Sequence, residues 1–258
     1  MKRYIMIGAP VTTVRTPPLL ERFLAGLGVG CAVETRHLEP GDLATFMATV
    51  RADPAIDGLL VTMPHKRAAI PHLAAVSAAA ARAGSVNAAK RLPDGRMVGA
   101  QFDGVALVEA VLAKGVPLSD SRVLLAGLGG AGLAIAQALM AHGCAALILA
   151  ERDPGLLAAA LVTLPALGPT PVAAAADGPF DLLVNATPLG MRDGDPSPFD
   201  EHLVAQAPWI ADIVADPPAT CLAAMARARG ATLITGRDMV LGQVGPIGRW
   251  LLAPGVEQ

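Results

Sequence analysis

Short apolar runs alternate with amphipathic stretches from one end of the chain to the other, which is the βαβ rhythm of an α/β protein. Residues 3–7 and 32–37 read as strands, with a helix over 17–25 between them. Asp42 is expected to cap a helix reaching about Ala52, followed by a short buried strand at 57–61. The Ala-rich stretch 68–83 predicts one helix. Residues 85–92 and 96–101 flank Pro93-Asp94-Gly95, turn chemistry that predicts a hairpin. Asp103 then stands where an N-cap belongs, ahead of a helix with Val105, Val108, Val111 and Leu112 on one face.

A second rhythm starts at Arg122, with strands at 123–126 and 146–150 around a helix at 130–142. Pro154 opens a further helix at a position where proline is tolerated. Strands follow at 182–185, 209–213 and 232–234, with a helix at 220–229 before the last and a closing helix at 238–252. The pattern divides into residues 1–103, completed by 236–258, and residues 104–235.

Composition narrows the classes. The chain has 258 residues, a formal net charge of −2 and 16% charged residues, so it lacks the clustered Lys and Arg that nucleic acid requires. Its mean hydropathy of +0.50 raises the question of a membrane span at 123–150. Gly127, Gly129, Gly130, Gly132 and Gly143, with Gln137 and His142, break that run into strand, turn, helix and strand. The expectation is a cytoplasmic protein with no membrane partner, and no signal segment at the start. Cys31, Cys144 and Cys221 are isolated, giving neither a disulfide framework nor a zinc site. Walker A, Gly-x-Ser-x-Gly and Tyr-x-x-x-Lys patterns are all absent.

Gly127-Leu128-Gly129-Gly130-Ala131-Gly132 follows a predicted strand, opens a predicted helix and fits the G-x-G-x-x-G spacing. Gly127 allows a tight turn, Gly129 lets backbone approach a pyrophosphate, and Gly132 lets helix pack on strand. The phosphates then meet unpaired N–H groups at the helix start. Glu151 ends the next strand, where a carboxylate accepts ribose hydroxyls and favours NAD. Arg152 beside it is the alternative, a ligand for the 2′-phosphate of NADP.

Gly58-Leu59-Leu60-Val61-Thr62-Met63-Pro64-His65-Lys66 ends a strand and delivers a lysine. Lysine can donate a proton to an alkoxide formed when hydride reaches a carbonyl, given a neighbour that positions it. Asp103 is a candidate neighbour; by themselves, a surface lysine and a helix cap account for the two residues as well.

Taken in order, these segments resemble the shikimate dehydrogenase family. Gly58 to Lys66 is similar to its G-x-N-V-T-x-P-x-K segment, Gly84-Ser85-Val86-Asn87 to its G-A-V-N, and Asp103-Gly104 to the end of its N-T-D-G. Gly127 to Gly132 falls at its glycine loop, Asn185-Ala186-Thr187-Pro188-Leu189-Gly190-Met191 at its N-A-T-x-x-G-M turn, and Gly236, Met239 and Gln243 at its closing G-x-x-M-x-x-x-Q. The resemblance implies an α/β fold of two domains, one binding substrate and one a doubly wound Rossmann-type dinucleotide domain. It implies reversible reduction of 3-dehydroshikimate with a nicotinamide cofactor, an enzyme of the shikimate pathway acting as monomer or homodimer. By position, Lys66 and Asp103 become the catalytic pair. Thr16, Thr62, Asn87 and Gln243 become ligands of the hydroxylated acid. Gly127, Gly129, Gly130, Ala131, Gly132, Glu151, Arg152, Asn185, Thr187 and Gly236 become the cofactor site.

The chain also departs from the pattern. Val14 and Thr16 stand where the family's first loop has two serines, Phe102 where N-T-D-G has threonine, and Ala215 where a tyrosine is expected. Each lost hydroxyl partner costs roughly 1–3 kcal/mol if it leaves a buried polar group unpaired. Apolar bulk is therefore expected on the substrate side, with a weaker grip on shikimate itself. The rivals are a relative acting on another hydroxylated acid, a different lysine-using nicotinamide enzyme such as a methylene-tetrahydrofolate dehydrogenase, and a non-catalytic dinucleotide-binding protein.

Overall fold

A computed structural model describes residues 1–11, 15–168, 170, 172–174, 178–217 and 219–257. The chain divides into two units, Met1–Asp103 with Gln243–Gln258 and Gly104–Gly242.

Unit 1 carries β1 (Lys2–Gly8), α1 (Thr16–Gly26), β2 (Cys31–His37), α2 (Leu43–Ala52), β3 (Gly58–Val61), α3 (His65–Ala68), β4 (Ala75–Val76), α4 (Ala78–Ala83), β5 (Ala88–Arg91) and β6 (Met97–Ala100). Its mixed sheet runs β2-β1-β3-β5-β6-β4, parallel at β1–β2 and β1–β3 and antiparallel across β3–β5 and the β5–β6 hairpin. Side-chain alternation along β1 feeds two cores. Tyr4 and Met6 join Leu20, Leu24 and Trp250, while Ile5 and Ile7 join Phe46, Met47 and Val50 of α2.

The continuous helix expected at 68–83 does not form. Pro71 interrupts it, Ala75 and Val76 pair in parallel with Val98 and Gly99 of β6, and the Ser77 hydroxyl caps a separate helix by accepting the Ala80 N–H. Alanine content signals helix only when the backbone has no better partner, and here a sheet edge supplies one.

Unit 2 opens with α5 (Asp103–Ala113), whose first residue ends unit 1. It continues with β7 (Arg122–Ala126), α6 (Gly132–His142), β8 (Ala146–Ala150), α7 (Pro154–Thr163), β9 (Val172–Ala173), β10 (Leu182–Asn185), α8 (Glu201–Gln206), β11 (Trp209–Asp212), α9 (Cys221–Ala228), β12 (Thr232–Thr235) and the start of α10 (Gly236–Leu252). The sheet is parallel throughout, in the order β12-β11-β10-β7-β8-β9. Strand order reverses beside β7, so the loop after β7 stands at the topological switch point where such sheets bind ligands. Val123 and Leu125 of β7 enter one core, Leu124 and Ala126 the other.

The return to unit 1 falls at Gln243, seven residues later than the reading of 236. Met239 packs in the unit 2 core, and a Cβ on Gly242 would meet the Ala106 carbonyl at 2.6 Å, so the first turns of α10 belong with α5. Among the described residues, no helix is long and apolar enough to cross a membrane.

Candidate active site

In unit 1 a polar cluster forms where β3 and β6 end and β5 begins. The four-residue α3 is held on both sides: buried His65 bonds the Leu38 carbonyl through Nε2 at 2.7 Å, and the Val86 N–H donates to the Lys66 carbonyl at 2.8 Å. Lys66 is thereby aimed at Asp103, and its Nζ donates to Asp103 Oδ2 at 2.6 Å. The Lys66 side chain is 16% exposed against 4% for Asp103, so the ammonium is the accessible partner. Asp103 was expected to cap α5. Instead its carboxylate turns to Lys66 and to Asn87, whose Nδ2 donates to Oδ1 at 3.0 Å.

Asn87 is the hub. Its Oδ1 accepts the Phe102 N–H at 2.9 Å, and Nδ2 also donates to Gln243 Oε1 on α10 at 3.3 Å. Gln101 completes the frame: its Oε1 accepts the Asp103 N–H at 2.9 Å and its Nε2 donates to Ser85 Oγ at 2.8 Å. Lys66, Asn87, Asp103 and Gln243 are thus brought together by direct bonds. Thr62 lies four residues before Lys66, with its carbonyl accepting the His65 N–H. Thr16 is buried at the start of α1, and among the described residues no hydrogen bond ties it to the cluster. Gln101 and Ser85 were not expected as site residues; their signal, a side-chain amide two residues before the aspartate, is visible only once the fold is known.

Both Asp103 oxygens keep a lone pair for a ligand hydroxyl, Lys66 keeps protons for an oxygen, and the Gln243 Nε2 has donors to spare. Asn87 has its amide protons committed to Asp103 and Gln243, so it serves the site by holding them. The geometry can hold a hydroxylated molecule and move a proton at one of its oxygens.

Phe102 corrects one expectation. It was read as apolar bulk on the substrate side. Its ring is 2% exposed, lies in the unit 1 core and meets the Trp250 ring edge-on at 5.7 Å between centroids. Ala215 is exposed, and Val14 lies outside the described residues.

In unit 2 the glycine loop follows β7. Gly127 has φ +90°, and a Cβ there would meet Ala186 at 2.8 Å. A Cβ on Gly132 would stand 2.0 Å from the Gly127 carbonyl, so only glycine lets α6 begin this close to the turn. Gly129 differs: nothing lies within 4 Å of its Cβ position. Two glycines are needed by the fold and the third opens backbone to a ligand, a cradle that fits a dinucleotide pyrophosphate at the start of α6. Gly236 likewise lets α10 begin against 213–215, where a Cβ would meet the Ile213 carbonyl at 2.6 Å.

Glu151 turns back onto the loop. Its Oε2 accepts the Leu128 N–H at 2.6 Å and its Oε1 the Asp153 N–H at 3.0 Å. Partial burial pushes this carboxyl up, but backbone N–H groups of Asp153, Leu128 and Arg152 outweigh it and hold it below the usual glutamate range. Arg152 is exposed beside it. Asn185, fully buried, donates to Asp212 Oδ1 and the Leu189 carbonyl, both at 3.0 Å, and accepts from Thr187 N–H and Oγ1. Thr220 Oγ1 donates to the other Asp212 oxygen. Asn185 and Thr187 therefore shape the turn after β10, through a buried aspartate the sequence reading did not single out.

Residues 6–89 match the family model described as shikimate dehydrogenase substrate binding domain. A shikimate dehydrogenase (NADP(+)) of Rubrobacter xylanophilus is 35% identical over 92% of this chain and 86% of the relative. One of Acidiphilium cryptum is 36% identical over 93% and 87%. The crystal structure of shikimate 5-dehydrogenase from Thermus thermophilus, in complex with NADP(H) and shikimate, superposes with a TM-score of 0.83 at 30% identity, over 99% of this chain and 95% of that one.

Proposed function

The chain belongs to the shikimate dehydrogenase family, and on that premise we propose that it is an NADP-dependent oxidoreductase interconverting shikimate and 3-dehydroshikimate. The observation that carries the reading is the Lys66–Asp103 pair at 2.6 Å, with Asn87 and Gln243 bonded around it. A nicotinamide cofactor supplies or accepts the hydride. In the reducing direction Lys66 Nζ donates a proton to the carbonyl oxygen of the acid, and in the other direction it takes the hydroxyl proton back. Asp103 holds Lys66 in place and accepts from a neighbouring substrate hydroxyl. Gln243, Thr62 and Thr16 supply further polar contacts, and Asn87 keeps Asp103 and Gln243 in register.

Gly127, Gly129, Gly130, Ala131 and Gly132 would hold the cofactor's pyrophosphate, and Gly236, Asn185 and Thr187 would complete its site. NADP replaces the preference for NAD drawn from Glu151. That carboxylate is spent on loop N–H groups, which leaves Arg152 as the side chain available to a 2′-phosphate, and the curated relatives cited carry NADP(+) in their names. A related acid with fewer hydroxyls is the second substrate reading, favoured because Ala215 offers no hydroxyl where the family pattern has a tyrosine. The test is the rate of NADP+ reduction by shikimate, quinate and simpler cyclic hydroxy acids, each repeated with NAD+. Fastest turnover with shikimate and NADP+ supports the proposal; no turnover with either cofactor overturns it.

A further inference from the structure

We infer that Lys90 is a positioning residue for substrate binding, clamping the C-terminal end of α10 so that Gln243 stays seated on Asn87. Lys90 lies on β5, three residues beyond Asn87, and is 2% exposed. Its Nζ donates to the carbonyls of Trp250 and Ala253 at 2.6 and 2.8 Å and sits 4.2 Å from the centre of the Trp250 ring. No carboxylate pairs with it among the described residues. The buried ammonium is instead solvated by the last carbonyls of a helix, where the dipole favours a cation, and by an aromatic face. Burial pushes this lysine below its ordinary value, so the position is a costly one for a residue that only fills space.

The helix it holds is weak on its own. Between Gln243 and Trp250 the sequence has Gly245, Pro246 and Gly248, following Gly242. Glycines lower helix propensity, and Pro246 removes the N–H that would bond the carbonyl of Gly242. Gln243 and Trp250 are seven residues apart, about 10 Å along a helix, and fall on one face. Asn87 stands at the bend just before β5, and Lys90 lies on β5 three residues further on. Two points of one chain segment thus hold two points of one helix, Asn87 at Gln243 and Lys90 at Trp250. The tail closes the clamp: Trp250 Nε1 donates to the Val256 carbonyl at 2.9 Å, and Glu257 accepts the Ala78 N–H.

The inference rests on the proposed substrate reading, since Gln243 has to touch the acid for its position to matter. Lys90→Met keeps the apolar stem and removes the clamp. It should raise KM for shikimate by about 10- to 100-fold, the scale for misplacing a contact group by on the order of 1 Å. With Gln243 acting in binding, kcat should stay within about threefold and KM for NADP+ should not move. In a Gln243→Ala background, Lys90→Met should add nothing further, because the lysine acts through the glutamine. A folded Lys90→Met enzyme with parental KM, or a rise that multiplies with that of Gln243→Ala, overturns the inference. If Lys90→Met does not fold, Lys90→Arg is read in the same way, since a guanidinium cannot enter the same space without shifting the helix end. Should the parent itself fail to oxidise shikimate, the proposed function falls separately. The clamp is then read by hydrogen exchange: faster exchange in Lys90→Met or Lys90→Arg confined to amides between Gln243 and Leu252 retains it, and unchanged exchange there removes it.

Discussion

Unit 1 assembles its reactive cluster from side chains that start far apart, at Lys66, Asn87, Asp103 and Gln243, and meet only in the folded sheet. Unit 2 builds its cradle from the backbone of six consecutive residues, Gly127 to Gly132, at the reversal of a parallel sheet. The first kind of site depends on charge and hydrogen-bond partners, the second on the absence of side chains. They should therefore fail differently when mutated, and that difference is open to measurement.

The largest effect is expected in the side-chain site. Lys66→Ala should lower kcat by roughly 100-fold or more, the scale of a lost general acid. Calorimetric titration should give the same NADP affinity as the parent, because the cradle lies in the other unit. A loss of cofactor affinity alongside activity would break the division of labour.

Next are the glycines, which sharpen the comparison within unit 2. Gly129→Ala meets open space, so its melting temperature should match the parent while NADP binding weakens on the order of tenfold or more, about 1.4 kcal/mol. Gly132→Ala would bring a Cβ 2.0 Å from a carbonyl and should lower both. Equal melting temperatures for the two variants would refute the assignment of one glycine to the ligand and the other to the fold.

Arg152→Ala should weaken NADP by about tenfold, the worth of a hydrogen bond to a charged group, and leave NAD unchanged. Equal losses for both cofactors would return the arginine to the surface.

The smallest effect concerns Asp212, buried behind the loop ends of unit 2. Burial pushes its carboxyl above the ordinary aspartate value, against hydrogen bonds from Thr220, Val214 and Asn185 that pull it down. Just above that ordinary value the folded state holds more protons than the unfolded one, so this group makes stability fall as pH rises through the window. In Asp212→Asn that titration is gone. Melting curves taken from about pH 4 upward should show the parent losing stability relative to the variant, and parallel curves would contradict the assignment.

The same contrast explains what was legible in the sequence. The glycine loop could be read residue by residue because a backbone site is written contiguously, and the parallel strands around it announced themselves as apolar runs. Lys66 and Asp103 could be named as a candidate pair from their residue types, but only the resemblance set that pair above a surface lysine and a helix cap. Ser85, Gln101 and Lys90 went unread because Ser85 and Gln101 meet across sixteen residues of chain and Lys90 reaches the last helix. Phe102 was misjudged for a related reason. Sequence position put it beside Asp103, yet along an extended segment the next side chain points to the opposite face, here toward Trp250. Residues 68–83 were misread because the edge of β6 offered Ala75 and Val76 a partner that composition cannot show.

The central claim is that Lys66 and Asp103 act as one proton-handling unit on a hydroxylated acid. A double-mutant cycle on NADP+ reduction by shikimate tests it most directly, with the parent, Lys66→Ala, Asp103→Asn and the pair assayed together. Residues acting as a unit are non-additive, so the double variant should be little slower than the worse single one. Losses that multiply in the double variant, or a Lys66→Ala enzyme as fast as the parent, would contradict it.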